Sequence, residues 1–179
     1  MNLWHELPPG PRAPKVIYAI IEIPKGSRNK YEYHKSAGII KLDRVLYSSL
    51  HYPGDYGLIP RTYYEDGDPL DVLIMINEPT FPGCIIEARP IGVFQMMDKG
   101  LPDDKILAVP ATDPIFDGYN DIADIPPHFL REVAHFFEVY KDLEGARTKP
   151  IGWASAEAAR ERIQHAIDLY RTEFQPPSL

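Results

Sequence analysis

Over the first two thirds of the chain, apolar residues come in short β-branched blocks, each ended by turn formers. Val16-Ile17-Tyr18-Ala19-Ile20-Ile21-Glu22-Ile23 reads as a strand stopped by Pro24-Lys25-Gly26. Lys30 to Tyr33 and Gly38 to Leu42 read as a short hairpin around Lys35-Ser36-Ala37. Further strands are expected from Val72 to Ile76, from Ile85 to Arg89 and Ile91 to Met97 with Pro90 dividing them, and from Ile106 to Val109 before Pro110. Many short strands between turn residues predict a closed barrel or a sandwich.

The last third changes period. Phe129, Leu130, Val133, Phe136, Phe137 and Tyr140 fall on one helical face, with Pro126 and Pro127 at its start and Gly145 as its expected stop. A second helix is expected from Ser155, an N-cap residue with Glu157 in the first turn. Its stripe is Ala156, Ala159, Ile163, Ala166, Ile167, Tyr170 and Phe174. The tail from Gln175 to Leu179, with Pro176 and Pro177, is expected to fray. The fold class is therefore α+β, mainly β, with two helices in the C-terminal half packed on a β core. With no repeat, linker or low-complexity tract, residues 1–179 read as a single domain.

Composition narrows the function. Hydrophobic residues are 44% and charged residues 25%, which excludes disorder of the whole chain. The net charge of −7 disfavours a general nucleic-acid binder, although it leaves room for a local basic pocket. Cys84 is the single cysteine, so neither an intrachain disulfide nor a cysteine-based metal site is available. The first residues, MNLWHELPPG, lack the basic and apolar regions of a signal peptide, and the longest apolar run is interrupted by Glu22. A reducing, cytoplasmic setting without membrane attachment is expected.

The sharpest local feature is Glu65-Asp66-Gly67-Asp68-Pro69-Leu70-Asp71, directly before the Val72 strand. Gly67 and Pro69 permit a tight turn that aims three Asp side chains into a small volume. Two carboxylates about 5 Å apart repel by roughly 3 kcal/mol at an effective dielectric of 20, so such a group wants a cation or a shared proton. Oxygen-only ligands favour Mg²⁺, Mn²⁺ or Ca²⁺. The plain alternative is a solvated turn. An EF-hand fits worse, because counting from Asp66 places Leu70, Asp71 and Asn77 where that loop needs a ligand, Gly and Glu. A second acidic group, Asp98, Asp103 and Asp104 with Lys105 after it, lies between two strands and reads in isolation as an exposed loop. Glu22 interrupts an apolar strand, where an unpaired carboxylate is costly unless it alternates outward to water.

Candidate phosphate ligands are Lys30, Arg44, Arg61, Lys105 and Lys141, with Tyr52, Tyr56 and Tyr140 as neutral donors. For each basic residue alone, a solvated surface position is the ordinary explanation. The histidines are scattered, His135 reads as a packing or interface residue, and no Walker A, GxGxxG or GxSxG string occurs.

Taken together, these segments resemble the family I soluble inorganic pyrophosphatases. DGDPLDV from Asp66 matches the family signature, and EIPKGSRNKYE from Glu22, LDRVLY from Leu42 and HYPGDYG from His51 are similar to family segments. ARPIGVFQMMD from Ala88, KILAVP from Lys105, HFFEVYKDLEG from His135 and GWASAEAA near Trp153 continue the resemblance in family order. It implies an OB-like five-stranded closed barrel carrying two helices. It also implies Mg²⁺-dependent hydrolysis of inorganic pyrophosphate to two orthophosphates by in-line attack of a metal-activated water, with Mn²⁺ or other divalent ions as substitutes. The positions that match metal carboxylates are Asp66, Asp71, Asp98 and Asp103, with Glu22 a weaker contributor. Asp68 matches the general base. Lys30, Arg44, Tyr56, Lys105, Tyr140 and Lys141 match phosphate ligands, and Glu32 and Tyr52 match supporting polar positions. A homohexamer is implied as well. Lys99 and Val139 depart from residues common in bacterial relatives, one beside the metal loop and one at a subunit interface. Two other functions compete: a non-catalytic OB-type binding module, and a metal-dependent hydrolase of nucleotides or phosphate esters.

Overall fold

The computed structural model describes residues 1–175; the expected fraying beyond Gln175 lies outside them. Five strands form a closed ring: β1 (Ile17–Ile23), β4 (Asp55–Leu58), β5 (Asp71–Ile74), β8 (Lys105–Pro110) and β6 (Ile85–Asp98), with β6 returning to pair β1. All pairings in the ring are antiparallel except β5 with β8. The short β7 (Leu101–Pro102) and β9 (Thr148–Ala154) extend the sheet from the far half of β6. A separate hairpin of β2 (Asn29–His34) and β3 (Ile39–Val45) stands beside β1. The expected α+β barrel is the architecture observed.

Pro90 does not divide β6, which runs unbroken past it. The register against β8 shifts between Pro90 and Gly92, so the residue without an N–H sits where the ladder is already irregular. β4 and β9 escape the pattern of apolar blocks. β4 is the four residues Asp-Tyr-Gly-Leu, and β9 carries Pro150 and Gly152. Gly57 in β4 lies flat against β1, where a Cβ would collide with the Ile20 carbonyl.

The helices explain the strand alternation. Val72, Ile74, Ile106 and Ala108 point toward α3 (Ala156–Phe174), whose Ala159, Ile163, Ala166 and Ile167 form the expected stripe. Leu73, Leu107 and Val109 point the other way, into a cluster with Val133, Phe136 and Phe137 of α2 (Pro127–Val139). Ser155 caps α3 by accepting the Ala158 N–H at 3.2 Å. α2 ends at Tyr140, ahead of the expected stop; Gly145, at φ 77°, instead closes a short 3₁₀ turn at Asp142–Glu144. A one-turn helix, α1 (Leu3–Glu6), packs Trp4 near Tyr170 and was not signalled by periodicity. Among the described residues, no helix is long and apolar enough to cross a membrane.

Candidate active site

The same alternation that sends Val72 and Ile106 toward α3 turns Asp71 and Lys105 to the opposite face. There they line a cavity of about 320 Å³. β1 contributes Glu22, β2 contributes Lys30 and Glu32, and β4 contributes Tyr56. The turn before β5 adds Asp66 and Asp68, the end of β6 adds Asp98, the approach to β8 adds Asp103, and the residues following α2 add Tyr140 and Lys141. Tyr52 also lines the cavity. Residues far apart in sequence thus share one volume.

The acidic turn is built by its own backbone. The Tyr64 N–H donates to the Asp68 carbonyl at 2.8 Å, and the Gly67 N–H donates back to the Tyr64 carbonyl at 2.9 Å. Gly67 takes φ 81°, and Asp66 accepts the Asp68 N–H at 3.1 Å. Asp66 and Asp71 face inward, whereas Asp68 stands exposed on the rim and pairs with Lys35 from the β2–β3 turn.

Charge balance dominates the interior. Lys105 is only 3% exposed, and its ammonium donates to Asp71 Oδ2 at 2.6 Å and to Asp103 Oδ1 at 2.7 Å. It also lies 5.6 Å from the centres of the Tyr56 and Phe137 rings. Burial works against its charge, yet Asp71, Tyr56 and Asp103 raise its pKa well above that of a free lysine. Burial pushes Asp103 up, but the Lys105 ammonium outweighs it and holds the carboxyl below its ordinary range. Asp71 stays above that range, because its own burial outweighs the help of Lys105. Lys141 donates to Asp98 Oδ2 at 2.6 Å, leaving Asp98 Oδ1 buried without a partner.

Glu22 settles the question raised by its place in an apolar strand. It is 9% exposed and does not alternate to water. Burial pushes its pKa to about 8, despite the Tyr33 N–H donating to it at 2.7 Å, and the Asp71 charge adds to the rise. Asp66 is pushed to about 7 by burial and then by the charges of Asp71 and Asp103. Tyr52, Tyr56 and Tyr140 are held neutral, chiefly by burial, so their phenols remain hydrogen-bond donors.

These observations test the fit to a cation. The cavity walls carry oxygen-only anionic donors, two carboxyls pushed toward neutrality first by burial and then by neighbouring carboxylates, and an orphaned buried Asp98 oxygen. That donor set fits a hard divalent ion. Among the described residues, no three His, Cys, Asp or Glu side chains converge into a ready cage, and Lys105, Lys141 and Lys35 hold Asp71, Asp103, Asp98 and Asp68 in ion pairs. Of the three Asp expected in one small volume, Asp66 and Asp71 face inward and Asp68 lines the same cavity from its exposed rim.

Arg44 does not line the cavity. It is the cross-strand partner of Lys30, and its guanidinium pairs with Asp43 and Glu144. Arg61 lies away from the site, donating to the His5 carbonyl at 2.9 Å. His135 is exposed on α2. Lys35 and Lys99 line the cavity without having been singled out as ligands. Lys35 sits in a polar hairpin turn that gives no signal by itself, and Lys99 adopts φ 52° where the β6–β7 loop reverses.

A pocket of carboxylates, lysines and phenols on an OB-like barrel offers paired charges to a small charged ligand and differs from the basic groove of a nucleic-acid binder. The inorganic pyrophosphatase family model matches residues 19–171. The inorganic pyrophosphatase of Haloferax volcanii is 51% identical over 175 residues, covering 97% of this chain and 99% of the relative. That of Halobacterium salinarum is 52% identical over 174 residues, covering 97% and 98%. The crystal structure of inorganic pyrophosphatase from Thermus thermophilus superposes with a TM-score of 0.92 at 45% identity, covering 96% of this chain and 99% of that one. The chain belongs to the family I inorganic pyrophosphatases and is a hydrolase of that family.

Proposed function

We propose that this protein hydrolyses inorganic pyrophosphate to two orthophosphates, with Mg²⁺ as cofactor and water attacking in line. The observation that carries the reading is the buried Asp71–Lys105–Asp103 group beside Tyr56, where a fixed positive charge and neutral donors meet carboxylates in one cavity. Asp66, Asp71, Asp98 and Asp103, with Glu22 weaker, would hold the divalent ions. When bound, those ions supply charge neutralisation and a more acidic water.

The chain's own groups account for the rest. Lys30, Lys105 and Lys141 present charge to the phosphate oxygens, and Tyr56 and Tyr140 donate neutral hydrogen bonds. Arg44 joins this set only from the edge, since its pair with Glu144 must open first. Asp68, on the rim, takes a proton from water as the water oxygen bonds to one phosphorus. The bridging P–O bond breaks opposite, and its electron pair leaves with the second phosphate. No covalent enzyme intermediate is required.

A cytoplasmic homohexamer completes the reading. Ile39, Leu42, Val45, Tyr47 and Ile151 are large apolar side chains left exposed, which supports contact between copies. Phosphate release from pyrophosphate, with Mg²⁺, with Mn²⁺, with chelator, and against ATP, tests the whole. Rapid release from pyrophosphate that depends on the metal is expected. ATP turned over as fast would favour a general nucleotide hydrolase, and silence on both would remove the reading.

A further inference from the structure

The acidic pair at 103 and 104 is split by strand alternation, and the cavity uses only one half. Asp103 and Lys105 turn inward, while Asp104 turns with Ile106 toward α3 and is 4% exposed. There the Tyr64 hydroxyl donates to Asp104 Oδ2 at 2.8 Å, and the Met96 N–H donates to Oδ1 at 3.3 Å. Arg162 of α3 places Nε 3.3 Å from the same Oδ2 and donates from Nη1 to the Tyr64 hydroxyl at 3.0 Å. The surrounding layer is apolar, formed by Val72, Ile106 and Ile163 among others. A satisfied polar group in such a layer fixes one arrangement more than it adds stability.

Tyr64 is also the residue whose backbone closes the acidic turn, through its bonds with Asp68 and Gly67. Asp104 is the chain neighbour of both Asp103 and Lys105. One buried carboxylate therefore joins the two segments that supply Asp66, Asp71 and Asp103. A second tie from α3 runs alongside, with His165 Nε2 3.1 Å from Glu65 Oε1.

We infer that Tyr64, Asp104 and Arg162 form a positioning network that holds the Asp66–Asp71 turn and the Asp103–Lys105 strand at the spacing required for divalent-ion binding. The inference rests on the hydrolase reading above and extends it to residues that touch neither substrate nor ion.

The test uses the full-length protein with Tyr64→Phe and Asp104→Asn, singly and together. Mn²⁺ binding to the substrate-free protein is measured by calorimetry, and kcat and KM for pyrophosphate are measured across Mg²⁺ concentrations. Each single variant is expected to weaken Mn²⁺ binding, and raise the half-saturating Mg²⁺, by about tenfold. KM at saturating Mg²⁺ should stay within about twofold, and the double variant should be no worse than the more severe single one. Retained Mn²⁺ affinity and Mg²⁺ requirement in Tyr64→Phe, with only a lower melting temperature, would reduce the network to packing and overturn the inference. If Asp104→Asn does not fold, Tyr64→Phe decides alone. A wild-type protein that binds Mn²⁺ but leaves pyrophosphate intact removes the hydrolase reading while calorimetry still judges the network; one that binds no Mn²⁺ overturns both.

Discussion

Asp68 and Lys30 hold different positions on one cavity wall, and their proposed roles follow those positions. Asp68 is exposed on the rim and keeps its carboxylate clear of the buried Asp71–Lys105–Asp103 group. On the proposed role of Asp68 as proton acceptor, Asp68→Asn preserves shape and removes that acceptor, so kcat should fall by about 10²–10⁴-fold. Mg²⁺ affinity should change far less. Near-normal turnover at neutral pH, measured by phosphate release, would take Asp68 out of the reaction. Lys30 stands 3.5 Å from Asp43 at the mouth and is not locked between carboxylates as Lys105 is. Lys30→Ala should raise KM for pyrophosphate by about tenfold or more, since a charge-assisted hydrogen bond is worth about 1.5–3 kcal/mol. An unchanged KM would reassign Lys30 to surface charge.

At the scale of elements, short turns do much of the holding. Asp121 Oδ1 accepts the Ile122 N–H at 2.8 Å and the Ala156 N–H at 2.9 Å, tying a 3₁₀ turn to the first turn of α3. Those two backbone bonds, first Ala156 and then Ile122, lower the Asp121 pKa below its ordinary 3.8. The depressed carboxyl contributes stability that is present above the unfolded value and is lost as pH falls through the folded one. Asp121→Asn should therefore lower the melting temperature at neutral pH, and the difference should close as the pH falls below the ordinary carboxylate range. Equal melting curves at pH 7 would show that the tie contributes nothing measurable.

Elements also show what the residues disclose and what they hide. The Ile17–Ile23 and Lys105–Pro110 strands, the α2 face and the α3 stripe follow from local periodicity because each buries a continuous apolar face. β4 and β9 do not, since Gly57 is set in β4 by close approach to β1, and Pro150 and Gly152 are set in β9 by pairing with β6, rather than by local preference. In the site, the DGDPLD turn is visible as a dense local string. Asp98 and Asp103 look like loop charges until the ladder folds them beside Lys141 and Lys105. Lys35 on Asp68 and Asp104 under Tyr64 are contacts across the fold, which no local pattern carries. Arg44 shows the opposite limit: its place in a family-like segment does not bring it into the cavity wall.

For the whole molecule, the cavity is a store of negative charge that the fold alone balances with lysines. Chelation of divalent ions should abolish phosphate release, and added Mg²⁺ should restore it, while far-ultraviolet circular dichroism stays unchanged because the barrel core does not involve the cavity carboxylates. Loss of the β signal on chelation would make the ions structural.

The ring also constrains birth of the chain. β5 has no parallel neighbour until β8 is made, and β1 finds its second neighbour only in β6. A nascent or truncated polypeptide ending before β6 thus displays the unpaired, apolar flanks of β1 and β5, and one ending between β6 and β8 still displays that of β5. Ribosomal stalling or internal cleavage in that interval should yield sticky fragments that chaperones must retain, whereas release after β8 lets the cylinder seal itself.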